Sequence, residues 1–295
     1  METSGTVRVN QQELYFEVHG EGDPVVLIMG IGYDSSLWKL HQVPALARRF
    51  RVVVFDNRDA GRSAAAIGPY TIADMADDVV GLLAALEIPR AHVVGLSMGA
   101  LVAQEFALRH GERLDRLVLS GPDAAPARQA FHPVAVWNWV KEADTNGATF
   151  AAQQFGWLFS TAFLRNREAV QQTIEFLSSN PNPIVFEAYA RQAHAYLAYD
   201  PAGRLAGIRA PTLVIVGEQD LLTPPWIARE VAAAIPGAQL EIIAGDGASH
   251  VVALERPDEF NRLVMRFLEM KATSGPSGNA PDGSSSDQYV SAQVM

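Results

Sequence analysis

Six short apolar runs, residues 25–29, 51–55, 91–96, 114–119, 212–216 and 240–244, constrain the fold of this chain more than any other feature. Each is of strand length and rich in branched side chains, without the polar alternation of a strand that has one wet face. Such runs mark strands buried on both faces, as in a parallel sheet covered by helices. Helical patterns lie between them, at residues 72–86, 101–110, 226–234 and 257–270. The first of these opens on Thr71-Ile72-Ala73-Asp74, in which Thr71 and Asp74 have the spacing of a capping box. Ahead of the first run, residues 6–9 and 13–19 alternate and are closed by Gly20-Glu21-Gly22-Asp23-Pro24, the pattern of an antiparallel hairpin. Strand and helix alternating in this way give an α/β architecture with a mostly parallel sheet.

The alternation stops between residues 123 and 209, where helical patterns follow one another without a strand and more than half of the chain's aromatic residues gather. We expect a helical cap inserted into a core made of residues 1–122 and 210–271. Residues 272–295 are rich in Gly, Ser and Pro, and we expect them to be a disordered tail, because they offer too little apolar surface to offset the entropy of ordering.

Gly95-Leu96-Ser97-Met98-Gly99 stands where a buried run ends and a helix begins. A serine on a tight strand-to-helix turn is projected above the sheet edge as a nucleophile, and glycines two residues to either side remove the Cβ atoms that would collide there. A nucleophilic serine needs a base, and the base needs an orienting carboxylate. Behind an elbow of this kind they follow in the order acid, then histidine. Asp220 lies just past the run at 212–216, in Gly217-Glu218-Gln219-Asp220-Leu221-Leu222-Thr223-Pro224-Pro225, and His250 ends Gly245-Asp246-Gly247-Ala248-Ser249-His250 after the last run. Ser97, Asp220 and His250 are the expected catalytic residues. The expected donors to the oxyanion are the backbone amides of Met98, at a helix N-terminus, and of Ile31, in the turn Met29-Gly30-Ile31-Gly32.

Other polar groups have plainer roles. Glu218 and Asp246 read as solvated loop carboxylates. His19, His41, His92, His110 and His132 precede Asp220 and are structural or surface residues. Asp56-Asn57-Arg58-Asp59-Ala60-Gly61-Arg62-Ser63 reads as a loop held by its own hydrogen bonds and caps. Within the expected cap, Trp137, Trp139, Phe155, Trp157, Phe159 and Phe163 suggest a covered apolar pocket. Trp137, Trp157, Phe159 and His194 are the expected substrate contacts, although aromatics at helical spacing more often serve packing.

Formal net charge is −10, which disfavours a phosphate backbone as partner, and no basic run offsets it. The chain has no cysteine, hence no disulfide or thiolate metal site, and nothing calls for a metal or cofactor. There is no apolar stretch of signal-peptide length before residue 22 and no 18-residue apolar run, so no membrane association is expected and a cytoplasmic location is the default. Nothing in the sequence bears on oligomeric state.

Together, the serine elbow, the Asp220 loop, the His250 loop and the Asp56–Ser63 segment resemble the α/β-hydrolase superfamily over about residues 5–271. Gly68-Pro69-Tyr70-Thr71-Ile72 and Ala91-His92-Val93-Val94-Gly95-Leu96-Ser97-Met98-Gly99 resemble 3-oxoadipate enol-lactonases. Met29-Gly30-Ile31-Gly32 and Asp56–Ser63 resemble anthracycline methyl esterases such as aclacinomycin methylesterase. Many superfamily members carry His-Gly where this chain has Met29-Gly30. The resemblance implies an α/β-hydrolase fold, a mostly parallel eight-stranded sheet flanked by helices with a helical cap, and a serine hydrolase that cleaves a small carboxylic ester or lactone bearing an apolar group. Cofactor-free haloperoxidases (perhydrolases) and carbon–carbon bond hydrolases use the same three residues and stay open as alternatives, as does a receptor-like ligand-binding module. A haloalkane dehalogenase would need a carboxylate at position 97.

Overall fold

The computed structural model describes residues 2–126, 136, 138, 147–201 and 203–270, with only the backbone described for 147–152. Among these, the strands are β1 (Thr3–Val9), β2 (Gln12–His19), β3 (Asp23–Ile28), β4 (Phe50–Phe55), β5 (Ala91–Leu96), β6 (Leu114–Ser120), β7 (Thr212–Gly217) and β8 (Gln239–Ile243). They form one eight-stranded sheet in the order β1-β2-β4-β3-β5-β6-β7-β8. The β1–β2 and β2–β4 pairings are antiparallel and the other five are parallel. The expected fold class is the one observed, including the opening hairpin.

Burial of both faces explains the unbroken apolar runs. Along β3, Val26 and Ile28 enter one core while Val25 and Leu27 enter the other. The first core is covered by α2 (Ile72–Ala85), α3 (Met98–Arg109) and α8 (Pro225–Ala234), the second by α1 (Ser36–Leu46) and α10 (Pro257–Leu268). The Thr71–Asp74 capping box at the start of α2 is present in full. Helix α1 is absent from the sequence reading because Pro44 lies inside it. Proline removes a donor and ordinarily ends a helix pattern, yet here Trp38, Gln42, Val43 and Leu46 are buried on one side of α1.

Between β6 and β7 the described residues contain α4 (Gly147–Leu158), α5 (Thr161–Arg165), α6 (Arg167–Ser178) and α7 (Phe186–Leu197), and no strand. The expected tail, Trp137 and Trp139 lie outside the described residues. Strand order reverses around β3, which sits between β4 and β5, so loops leaving β3 and β5 part to opposite sides and leave a crevice at their carboxyl ends. The candidate site lies there.

Candidate active site

Ser97 joins β5 to α3 with φ 56° and ψ −120°, a positive-φ conformation that a residue with a Cβ adopts only under constraint. The surrounding backbone supplies the constraint. The Ser97 amide donates to Ser120 O on β6 at 2.9 Å, and α3 starts one residue later. A Cβ at position 95 would lie 2.1 Å from Gly99 O, and one at position 99 would lie 2.2 Å from Ile28 O. The two glycines flanking the serine are therefore required by backbone packed against backbone.

Asp220 and His250 come from the loops after β7 and β8 and are both buried, at 2% and 3% exposure. His250 Nδ1 lies 2.9 Å from Asp220 Oδ2. A carboxylate only accepts, so Nδ1 carries the proton and the Nε2 lone pair is left available. Nε2 is buried with no hydrogen-bond partner among the described residues. Asp220 is fixed in turn: its Oδ1 accepts from the Leu222 amide at 2.9 Å and the Thr223 amide at 2.8 Å, and its Oδ2 accepts from Thr223 Oγ1 at 2.9 Å. Thr223 Oγ1 also stands 3.2 Å from His250 Nδ1, so one hydroxyl braces both partners.

The turn after β3 lies against the serine. A Cβ on Gly30 would come within 3.3 Å of Ser97 Cβ. Asn57 Nδ2 donates to Met29 O at 3.0 Å. Gln192, buried on α7, accepts from the Gly32 amide at 2.8 Å and donates to Arg58 O at 2.9 Å. The turn is thus held at both ends. Among the described residues no acceptor meets the amide of Ile31 or that of Met98 at the start of α3, which leaves both free to donate to a developing oxyanion.

Ser97, Ile31 and His250 line one cavity of about 740 Å³. The ends of β3 and β5 line it through Met29 and Leu96, α1 through Leu37 and Trp38, and the segment from α4 to α6 through Phe159, Phe163, Phe176 and Leu177. Phe159 and Phe163 stack with ring centroids 4.1 Å apart. Tyr33, partly buried and with its phenol pushed up by desolvation so that it stays neutral, donates to Gln154 at the cavity wall.

Of the expected contacts, Phe159 lines this cavity, whereas Trp157 and His194 do not. Trp157 packs partly buried on the main core. His194 is exposed, because the buried stripe of α7 runs through Tyr189, Gln192, Ala193 and Tyr196 and turns position 194 outward. Glu218 is exposed, as expected; Asp246 is exposed too but reaches the cavity rim. The Asp56–Ser63 loop is held only in part by its own bonds, with Asp56 accepting from Arg62; Ser35 also donates to Asp56, Arg58 pairs with Asp78 and Asp59 with Arg191, so other elements hold it as well. Thr223, Gln192 and Glu255 escaped the sequence reading. For Thr223 the signal was its place three residues after Asp220; for the other two there was none.

A family model described as the alpha/beta hydrolase fold matches residues 23–257. The chain belongs to the α/β-hydrolase family. A protein of Caulobacter sp. strain K31, named as carbamate hydrolase RutD, is 35% identical over 280 residues, covering 91% of this chain and 99% of that one. A Mycobacterium tuberculosis relative named as non-heme bromoperoxidase BpoC is 34% identical, covering 86% of this chain and 97% of its own. The crystal structure of an enol-lactonase from Burkholderia xenovorans LB400 superposes with a TM-score of 0.79 at 33% identity, covering 90% of this chain and all of the other. No helix among the described residues is long and apolar enough to cross a membrane.

Proposed function

We propose that this α/β-hydrolase is a serine hydrolase acting on a small carboxylic ester or lactone with an apolar group, and that residues 123–209 form the cap that covers its site. Ser97 Oγ attacks the carbonyl carbon while its proton passes to His250 Nε2. The oxyanion accepts hydrogen bonds from the Met98 and Ile31 amides. As the C–O bond breaks, Nε2 returns the proton to the departing alkoxide, leaving an acyl-Ser97. Water, deprotonated by Nε2, then attacks the acyl carbon and frees Ser97. Asp220 keeps the Nδ1 tautomer and stabilises the imidazolium.

One observation carries this reading: an imidazole anchored through Nδ1 to Asp220 presents an unpartnered Nε2 beside the cavity that holds the strained Ser97. Of the two histidines among the described residues lining that cavity, His41 and His250, it is His250 whose Nδ1 is held by a carboxylate. The relative named for bromoperoxidase activity favours a second reading on the same acyl-enzyme, with hydrogen peroxide in place of water and a peracid as product.

The test is a substrate panel: 4-nitrophenyl butyrate, an enol-lactone, a carbamate, a vinylogous diketone, and acetate with hydrogen peroxide and bromide. The proposal expects the ester or the lactone to be turned over with the highest kcat/KM. Turnover confined to the diketone, the carbamate or the peroxide mixture would overturn it.

A further inference from the structure

The cavity carries a charge pattern that narrows the substrate class, an inference that rests on the ester reading above. We propose that this site selects uncharged substrates and turns away esters and lactones that bear a free carboxylate.

Among the described residues lining the cavity there are two carboxylates, Asp246 and Glu255, and no lysine or arginine. Both belong to the segment that carries His250 and line the same cavity as Ser97. Glu255 is hydrogen-bonded by Ser160 N at 2.9 Å and Ser160 Oγ at 2.6 Å and also by the Ser249 hydroxyl; all are neutral donors that leave its charge uncompensated. Asp246 is exposed at the rim.

Two arginines close to the cavity, Arg256 beside Glu255 in sequence and Arg62 in an adjoining recess, are already engaged. The Arg256 guanidinium donates to the carbonyls of Ala244 and Asp246 at 3.1 and 2.9 Å and to Glu259 at 2.5 Å. Arg62 lines an adjoining recess of about 250 Å³ and is bound there by Asp56 at 2.8 Å and Glu17 at 2.9 Å, with Asp34 lining the same recess. An anionic substrate would exchange water for the aromatic and aliphatic walls and would meet two like charges, with no lysine or arginine among the described lining residues to offset the loss. The formal net charge of −10 adds a field of the same sign at long range. A neutral ester meets the same two carboxylates without charge repulsion, together with uncharged amide and hydroxyl groups such as Gln154, Asn166, Gln172 and Thr173. The predicted discrimination therefore falls on lactone acids and carbamate anions, and spares neutral esters of similar size.

Three esters with one leaving group test this: 4-nitrophenyl heptanoate, mono-4-nitrophenyl adipate, and 4-nitrophenyl methyl adipate, which restores neutrality on the adipate skeleton. At low salt the adipate monoanion should show kcat/KM at least about tenfold below the methyl adipate. Added sodium chloride should narrow that ratio by screening. Replacement Asp246→Asn should narrow it by about threefold, by raising the monoanion relative to the methyl adipate. Equal or faster turnover of the monoanion in the wild type, or a ratio insensitive to both salt and D246N, would overturn charge selection while the ester reading stands. Failure of all three esters to react would overturn the ester reading and this inference with it.

Discussion

At the scale of single residues, the site depends on groups that hold other groups still. Ser97 is kept at positive φ by two glycines and a bond to Ser120, and in the mechanism we propose its reactivity follows from position, since a serine hydroxyl by itself is a weak nucleophile. Thr223 deserves the closest comparison with the expected residues. Its hydroxyl donates to Asp220 Oδ2 and sits 3.2 Å from His250 Nδ1, so it limits the rotation of both. Replacing it with valine keeps the shape and removes the donor. We expect T223V to lower kcat on an ester by about tenfold with little change in KM, and T223S to recover most of the loss. Steady-state kinetics of the two variants decide it; a T223V rate equal to wild type would show that the hydroxyl has no part in positioning.

At the scale of elements, the His250 loop is tied to the segment between β6 and β7. Val251 N donates to Leu158 O at 3.2 Å, and Glu255, from the short helix α9 (Val252–Glu255), receives the amide and hydroxyl of Ser160 at the junction of α4 and α5. The loop that carries His250 and one wall of the cavity are therefore tied together by three hydrogen bonds. E255A removes the acceptor for three donors and should lower kcat/KM by about tenfold, whereas E255Q, which still accepts from the Ser160 amide, should retain most activity. Kinetics together with a thermal melt separate this from general unfolding; equal activity in E255A and wild type, at equal Tm, would contradict the coupling.

This scale also explains what could be read from sequence. Buried parallel strands leave a composition that cannot be mistaken for a one-sided strand, and the elbow demands glycine at fixed offsets, so the sheet and Ser97 were legible. Asp220 and His250 followed from chain order. Helix α1 was hidden by Pro44. Gln192 and Glu255 act across 160 and 95 residues of sequence, on Gly32 and Ser160. No local pattern encodes such a contact. His194 and Trp157 show the limit from the other side: periodicity says that a helix has a buried face, but which residues meet the cavity depends on how that helix docks.

At the scale of the molecule, the antiparallel edge is fastened to the rest by charge. Glu17 on β2 is buried, which alone would raise its pKa, but Lys39 on α1, Arg62 and His19 hold it down to about 2. A carboxylate with a lowered folded pKa contributes stability that is fully present above its unfolded value near 4.5 and is lost as the pH falls towards 2. E17Q should therefore cost about 2 kcal/mol of unfolding free energy at pH 7, with the difference from wild type shrinking between pH 5 and pH 2. Urea titrations at pH 7, 4 and 2.5 would show this, and a difference that stays constant across them would refute the assignment.

The central claim, that His250 and Asp220 make Ser97 the nucleophile, is tested most directly by covalent capture. The protein is treated with an alkyl fluorophosphonate, and the modified peptide is identified by mass spectrometry alongside ester turnover of Ser97→Ala. The account predicts one phosphonyl group, located on Ser97, no labelling in H250A on the same time scale, and a fall in kcat for S97A of on the order of a million-fold. A label on another residue, or near-normal ester turnover by S97A, would contradict it.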